Sequence, residues 1–206
     1  ARPLAEVLPE IIEFVERTRG HEFVTEPVVQ AVSDEEFVDL LEEARTEDEI
    51  EALRDATVTD VALGLVPPGT DLVDVLDAAG EVSVLGFYRP DTEELYVKGD
   101  AITPLVQTTI AHELTHALDD QIFDLGRIDA LAERDTEEAF AFLALVEGTA
   151  SFVGDAYRAQ LSPEDAAAAD DEELALGFQQ LPGLAQGRFG GNEGRVALQS
   201  LADKGA

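Results

Sequence analysis

Ile110-Ala111-His112-Glu113-Leu114-Thr115-His116-Ala117-Leu118 is the stretch on which the reading of this chain turns. The 206 residues contain 3 histidines, and two of them stand here four apart, with a glutamate directly after the first. On a helix, residues i and i+4 share a face, so both imidazoles can meet one metal ion. Glu113 then sits about 100° round the helix from His112. Its carboxylate can reach a reacting water there without ligating the metal. Metal-assisted hydrolysis needs this arrangement, with His112 and His116 as ligands and Glu113 as general base. Glu113 is the sole charged residue between Ile110 and Leu118, so the spacing predicts a buried helix rather than a solvated surface one.

A catalytic zinc usually takes a third protein ligand. The metzincin spacing is excluded, because Asp119 and Ile122 stand where glycine and histidine would be needed. His21 lies far upstream in a polar stretch that suits a solvated side chain. A carboxylate is therefore expected, and the best candidate is Glu147. It stands in the apolar run from Ala139 to Val153, which predicts a buried helix. A lone buried carboxylate is costly unless it is paired or bound to a metal. Gly148 beside it would leave room for close packing or ligand approach. Glu137, Glu138 and Asp155 fit ordinary surface roles better. Asp120, one turn after His116, and Ser151, one turn after Glu147, are candidates to orient a ligand by a hydrogen bond. Asp119 reads as solvated, and Tyr88, Tyr96 and Tyr157 read as packing residues.

The segment Ala111-His112-Glu113-Leu114-Thr115-His116-Ala117-Leu118-Asp119-Asp120 resembles the active-site helix of the gluzincin metallopeptidases, particularly the thermolysin-like enzymes. Glu147-Gly148 with Ala150 resembles their second helix, in which a glutamate completes the metal site. Gly86-Phe87-Tyr88 through Leu95-Tyr96-Val97 resembles the strand pair along the upper rim of their cleft. The resemblance covers residues 84 to 157. It implies a zincin-like fold and zinc-dependent peptide hydrolysis, with zinc on His112, His116 and Glu147, and with a peptide or protein as substrate. An inactive relative that keeps the metal helix as a structural or binding module is the alternative. No histidine follows His116 to serve as an oxyanion donor, and Tyr157 is the one tyrosine downstream.

Composition narrows the classes. There are 45 acidic residues against 13 basic ones, for a formal charge of −32, and the lysines are Lys98 and Lys204 alone. Without a basic patch to neutralise phosphates, nucleic-acid binding is excluded. A hydrophobic content of 45% is enough for a core, so the acidity is not a sign of disorder. Acidic side chains with few lysines suggest a halophilic protein adapted to molar salt. The absence of cysteine excludes disulfides and thiolate metal sites. The absence of methionine implies a processed or excised chain. No unbroken apolar run approaches the ~18 residues of a membrane span, so no membrane insertion is expected of this segment. A secreted or surface-anchored setting fits the implied activity.

The pattern along the chain predicts an α+β fold, with a small mixed sheet, the active-site helix and a mostly helical remainder. Leu4, Leu8, Ile11, Ile12 and Val15 share a helical face ending at Gly20. Phe23 to Val32 reads as a strand broken by Pro27. Ser33-x-x-Glu36 and Thr46-x-x-Glu49 read as capping boxes. Thr70 is expected to cap a helix ending at Gly80, with a hairpin from Val82–Tyr88 and Leu95–Lys98 after it. Thr103-Pro104 and Asp135 mark the starts of the two site helices. Three regions follow within one compact unit: residues 1–80 helical and strand, 81–180 a zincin-like catalytic core, and 181–206 a glycine-rich C-terminal segment. The charge generates a prediction. Screening shortens from ~10 Å at 0.1 M to ~3 Å at 1 M salt. The melting midpoint should therefore rise steeply from dilute buffer to molar KCl at constant zinc, and a flat or falling series would sink the halophilic reading.

Overall fold

Thr103 and Pro104 begin the helix around which the protein is built. The computed structural model describes residues 1–99 and 101–188. Among them are eight α-helices and three strands: α1 (Leu4–Arg19), β1 (Val28–Val32), α2 (Asp34–Glu43), α3 (Glu47–Ala62), α4 (Leu72–Ser83), β2 (Gly86–Arg89), β3 (Glu94–Lys98), α5 (Pro104–Phe123), α6 (Ile128–Arg134), α7 (Thr136–Arg158) and α8 (Pro163–Arg188), with a 3-10 turn at Leu125–Arg127 before α6. The fold is mixed α and β, mostly helical, as expected.

The Thr103 hydroxyl accepts the Val106 N–H and Pro104 takes the first helical position, where its missing N–H costs nothing. Residues are buried along most of α5, on more than one face, including Val106, Ile110, Ala111, Leu114, Ala117 and Leu118. α1, α7, β2 and β3 pack around it. α1 contributes Val7, Ile11, Phe14 and Val15, and Gly20 ends it at φ 71°, a left-handed conformation suited to glycine. α7 opens on Asp135, whose carboxylate accepts the Glu137 and Glu138 N–H groups.

The sheet runs β1-β3-β2, with β1 parallel and β2 antiparallel to the central β3. Leu95 and Val97 of β3 enter the core shared with α5. Tyr96 turns to the other face, where it meets Phe87, which in turn meets Phe37 of α2 edge-on. The hairpin was thus legible, but Val82 belongs to α4. β1 starts only at Val28, because proline at 27 cannot donate to a ladder.

Two compact units emerge among the described residues: 1–40 with 84–173, and 41–83 with 174–188. They divide the chain differently from the three regions expected. In the second unit α3 and α4 pack together. Thr46 and Glu49 form the expected capping box, the Thr57 hydroxyl accepts the Leu72 N–H, and Arg45 pairs with Asp77. α4 is started by Asp71, whose carboxylate accepts the Val73 N–H, rather than by Thr70. It runs past Gly80, where a Cβ would stand 3.0 Å from Leu41. Gly80 is a close-packing residue within the helix, not its end. Residues 181–188 of the glycine-rich segment continue α8; 189–206 lie outside the described residues.

Two further expectations are corrected. The apolar run of α7 is not buried: Phe140, Leu145 and Phe152 are exposed, whereas Ala139, Ala150, Val153, Gly154 and Tyr157 are buried. By length and composition α7 is also the one described helix long and apolar enough to cross a membrane. Counting unbroken apolar runs missed this, because its few acidic residues are too sparse to lower the mean hydropathy. The second correction is Asp119. It is buried, and Arg19 donates Nε at 3.1 Å and Nη2 at 2.6 Å to its Oδ1. Removing one partner of a buried pair leaves the other charge uncompensated. Arg19→Ala should therefore cost about 3 kcal/mol of unfolding free energy in a denaturant titration; a change within a few tenths would refute the pairing.

Candidate metal site

One turn of α5 separates His112 from His116, and their rings meet edge-on with centroids 4.7 Å apart. Their Nε2 atoms are 3.0 Å apart. Two imidazole lone pairs cannot share that space without a proton or a cation between them. Donor atoms of His112, Glu113 and His116 all lie within 4.8 Å of one another, a group that could hold a metal ion. α7 crosses α5 and brings up Glu147, whose Oε2 is 3.5 Å from His112 Nε2 and whose Oε1 is 3.7 Å from His116 Nε2. Tetrahedral bonds of 2.0–2.2 Å imply ligand separations of about 3.3–3.6 Å. Each histidine nitrogen faces a different Glu147 oxygen near that spacing, at 3.5 and 3.7 Å, and the imidazole distance of 3.0 Å is shorter.

Glu147 reaches the histidines from an exposed position, its side chain 53% accessible. The expectation of a buried carboxylate is therefore wrong, although Glu147 does lie beside the two histidines. Glu138 pairs with Arg134 instead, Glu137 and Asp155 are exposed, and no ion pair among the described residues joins these three to a histidine. His21 is exposed at the end of α1. Gly148 has open space where a Cβ would be, so it is not the packing glycine. That role falls to Gly154, which sequence reasoning passed over. A Cβ there would lie 3.6 Å from both His112 Cβ and the Thr108 carbonyl.

Glu113 sits on the other side of His112, facing β2. The Tyr88 backbone N–H donates to its Oε2 at 3.1 Å. Burial raises the Glu113 pKa to about 7, assisted by Glu147 and opposed by His112 and the Tyr88 N–H. On His112, burial works against charge, but the hydrogen bond to Glu147 and the two nearby carboxylates outweigh it and raise the pKa. His116, more deeply placed, is shifted down by burial. The hydrogen bond to His112 holds Glu147 below the usual carboxylate range. These residues open onto a cleft of about 320 Å³, walled by Phe87, Tyr88 and Pro90 on one side and by Leu125, Ile128, Phe142, Leu143 and Val146 on the other.

Neither candidate for orienting a histidine does so. Asp120 accepts the Tyr88 hydroxyl at 2.8 Å and the Leu125 N–H at 2.7 Å, tying the cleft walls to α5. Ser151 is exposed on α7, and no hydrogen bond among the described residues joins it to a histidine. Tyr157 is a packing residue as expected, edge-on to Phe14, with its hydroxyl donating to Gln107. Tyr96 packs on Phe87 and donates to Glu94. Comparison with protein families, with curated proteins and with solved structures found no match.

The geometry generates a test on the metal itself. Elemental analysis should find one metal ion per chain. It should be lost in His112→Ala/His116→Ala and weakened at least about tenfold in Glu147→Ala, a ligand loss exceeding the smallest effects of outer-sphere changes. Full retention in the double variant would place the metal elsewhere.

Proposed function

We propose that this protein is a zinc-dependent peptidase. One observation carries the reading: a carboxylate from a separate helix, Glu147, stands 3.5 and 3.7 Å from the two histidine nitrogens, while a fourth side chain, Glu113, is held back by a backbone N–H. Two imidazoles and one carboxylate form a neutral-nitrogen and oxygen donor set that suits zinc and leaves a coordination position for a reactant. Bound there, zinc would acidify water and polarise a carbonyl.

The chain's own residues supply the rest. Tyr88 occupies Glu113 Oε2, so Oε1 is the oxygen that takes a proton from the attacking water. The same oxygen then delivers that proton to the leaving amine nitrogen. Burial helps, because it raises the basicity of the Glu113 carboxylate and so favours proton uptake from the water. Apolar residues on the α6–α7 wall exclude water from one side of the cleft and suit an uncharged stretch of polypeptide.

A second reading has one observation in its favour. The cleft-lining tyrosine, Tyr88, already donates its hydroxyl to Asp120, and no other phenol, arginine or lysine lines the cleft among the described residues. With no donor aimed at a developing oxyanion, the site would serve as a metal-containing binding module. Glu113→Gln separates the two. On the peptidase reading Glu113 acts as base and not as ligand, so the variant should keep the metal and should lower peptide hydrolysis by at least about 100-fold, the lower range for losing a general base. Equal activity in parent and variant would remove the mechanism. A metal-loaded parent inactive on peptides at every salt concentration would favour the module.

A further inference from the structure

Resting on the peptidase reading, we propose that Tyr88 is the positioning residue for Glu113: its backbone N–H holds the carboxylate, and its phenol, bonded to Asp120, latches strand β2 to helix α5. The register explains why Tyr88 can do this. β2 lies at the sheet edge, and Leu85 bonds Lys98 of the neighbouring chain segment through its carbonyl. Main-chain groups alternate in an antiparallel ladder. Phe87 and Arg89 therefore turn theirs toward β3, and Gly86 and Tyr88 turn theirs away. The Tyr88 N–H has no strand partner, and it finds Glu113 Oε2 at 3.1 Å.

The side chain of the same residue fixes the strand a second time. Its hydroxyl donates to Asp120 Oδ2 at 2.8 Å, while Asp120 Oδ1 accepts the Leu125 N–H at 2.7 Å. Glu113 and Asp120 are seven residues apart, about two helical turns. One residue of β2 thus spans two turns of α5. Gly86 lets the strand come this close, since a Cβ there would stand 3.2 Å from Thr109 Cγ2 and 3.7 Å from Glu113 Cγ. A four-residue edge strand without the latch is hydrogen-bonded to β3 alone on its ladder side and rests otherwise on packing against α5 and Phe37. If β2 moves, the N–H moves with it, and Glu113 loses the contact that points Oε1 at the water. Misplacing a reacting group by about 1 Å can cost up to ~100-fold in rate.

The test uses the full metal-loaded chain and the variants Tyr88→Phe, Asp120→Ala, Asp120→Asn and Tyr88→Phe/Asp120→Ala. In peptide hydrolysis, Tyr88→Phe and Asp120→Ala should each lower kcat about tenfold or more, with KM, metal content and melting midpoint little changed. The double variant should be no worse than Asp120→Ala alone, because that variant already breaks the Tyr88–Asp120 bond, together with the Leu125 contact. Asp120→Asn keeps an oxygen for the phenol and should recover most of the loss. A large loss in Tyr88→Phe with none in Asp120→Ala would mean that the phenol acts on substrate directly, and would overturn the latch. Silence in both would overturn it as well. A second readout needs no activity: amide hydrogen exchange at Tyr88 should be slow in the parent and at least about tenfold faster in Glu113→Ala and in Tyr88→Phe. Unchanged exchange in Glu113→Ala refutes the positioning role. A parent that hydrolyses nothing refutes the peptidase reading alone, and the exchange rates still decide whether Tyr88 holds Glu113.

Discussion

A helix buried on most of its surface can carry polar side chains only if each one meets a partner. That constraint on α5 organises the first compact unit. Buried polar groups left alone cost roughly 1–3 kcal/mol each, and charged ones cost more. α5 carries many of them, and the neighbouring elements answer in turn. α1 supplies Arg19 to Asp119. α7 supplies Tyr157 to Gln107 and Glu147 to the histidines. β2 supplies Tyr88, by backbone to Glu113 and by hydroxyl to Asp120. Thr115 turns its hydroxyl onto the carbonyl of Ala111 in its own helix. Among the described residues no buried side-chain nitrogen or oxygen lacks a partner. Each of these contacts also fixes the angle at which an element approaches α5, so structural satisfaction and site assembly are the same event.

The two histidines are the exception that gives the site its character. Their nitrogens face each other at 3.0 Å, and neither is turned to a conventional protein donor on that side. The carboxylate beside them belongs to an exposed, solvent-facing glutamate, Glu147. On the proposed reading, imidazoles set in the floor would lose little solvation when a cation arrives, and a carboxylate at the lip would stay ionised to meet it. Gly154 faces His112 at the helix crossing, where a Cβ would just touch its Cβ at 3.6 Å.

The acidity of the chain shapes the rest of the surface. Seven described arginines each pair with a carboxylate, but they do not contribute equally. Exposed pairs such as Arg17 with Glu13 add little, because water and salt screen them. The Arg19–Asp119 pair is different. Its carboxylate is only 6% accessible, so its partner is required rather than optional.

Much of this was legible in the residues alone. The i, i+4 histidines with the adjacent glutamate placed three side chains on one helix, because helical geometry is local and periodic. Thr103-Pro104, Asp135, Thr46-x-x-Glu49 and Gly20 marked helix ends for the same reason: caps act over three or four residues. Glu147 was singled out on an expectation of burial that fails, since an apolar run on one helix does not say whether any neighbour covers it. Tertiary packing alone decided that Asp119 is buried on Arg19, a hundred residues away in sequence, and that Gly154 rather than Gly148 lies at the helix crossing. It alone decided that Asp120 serves Tyr88 and Leu125 instead of a histidine. The Tyr88 contact with Glu113 left no trace in the sequence, because a backbone N–H carries no residue identity; only the register of β2 on β3, and the fit of that edge against α5, could turn it toward the carboxylate.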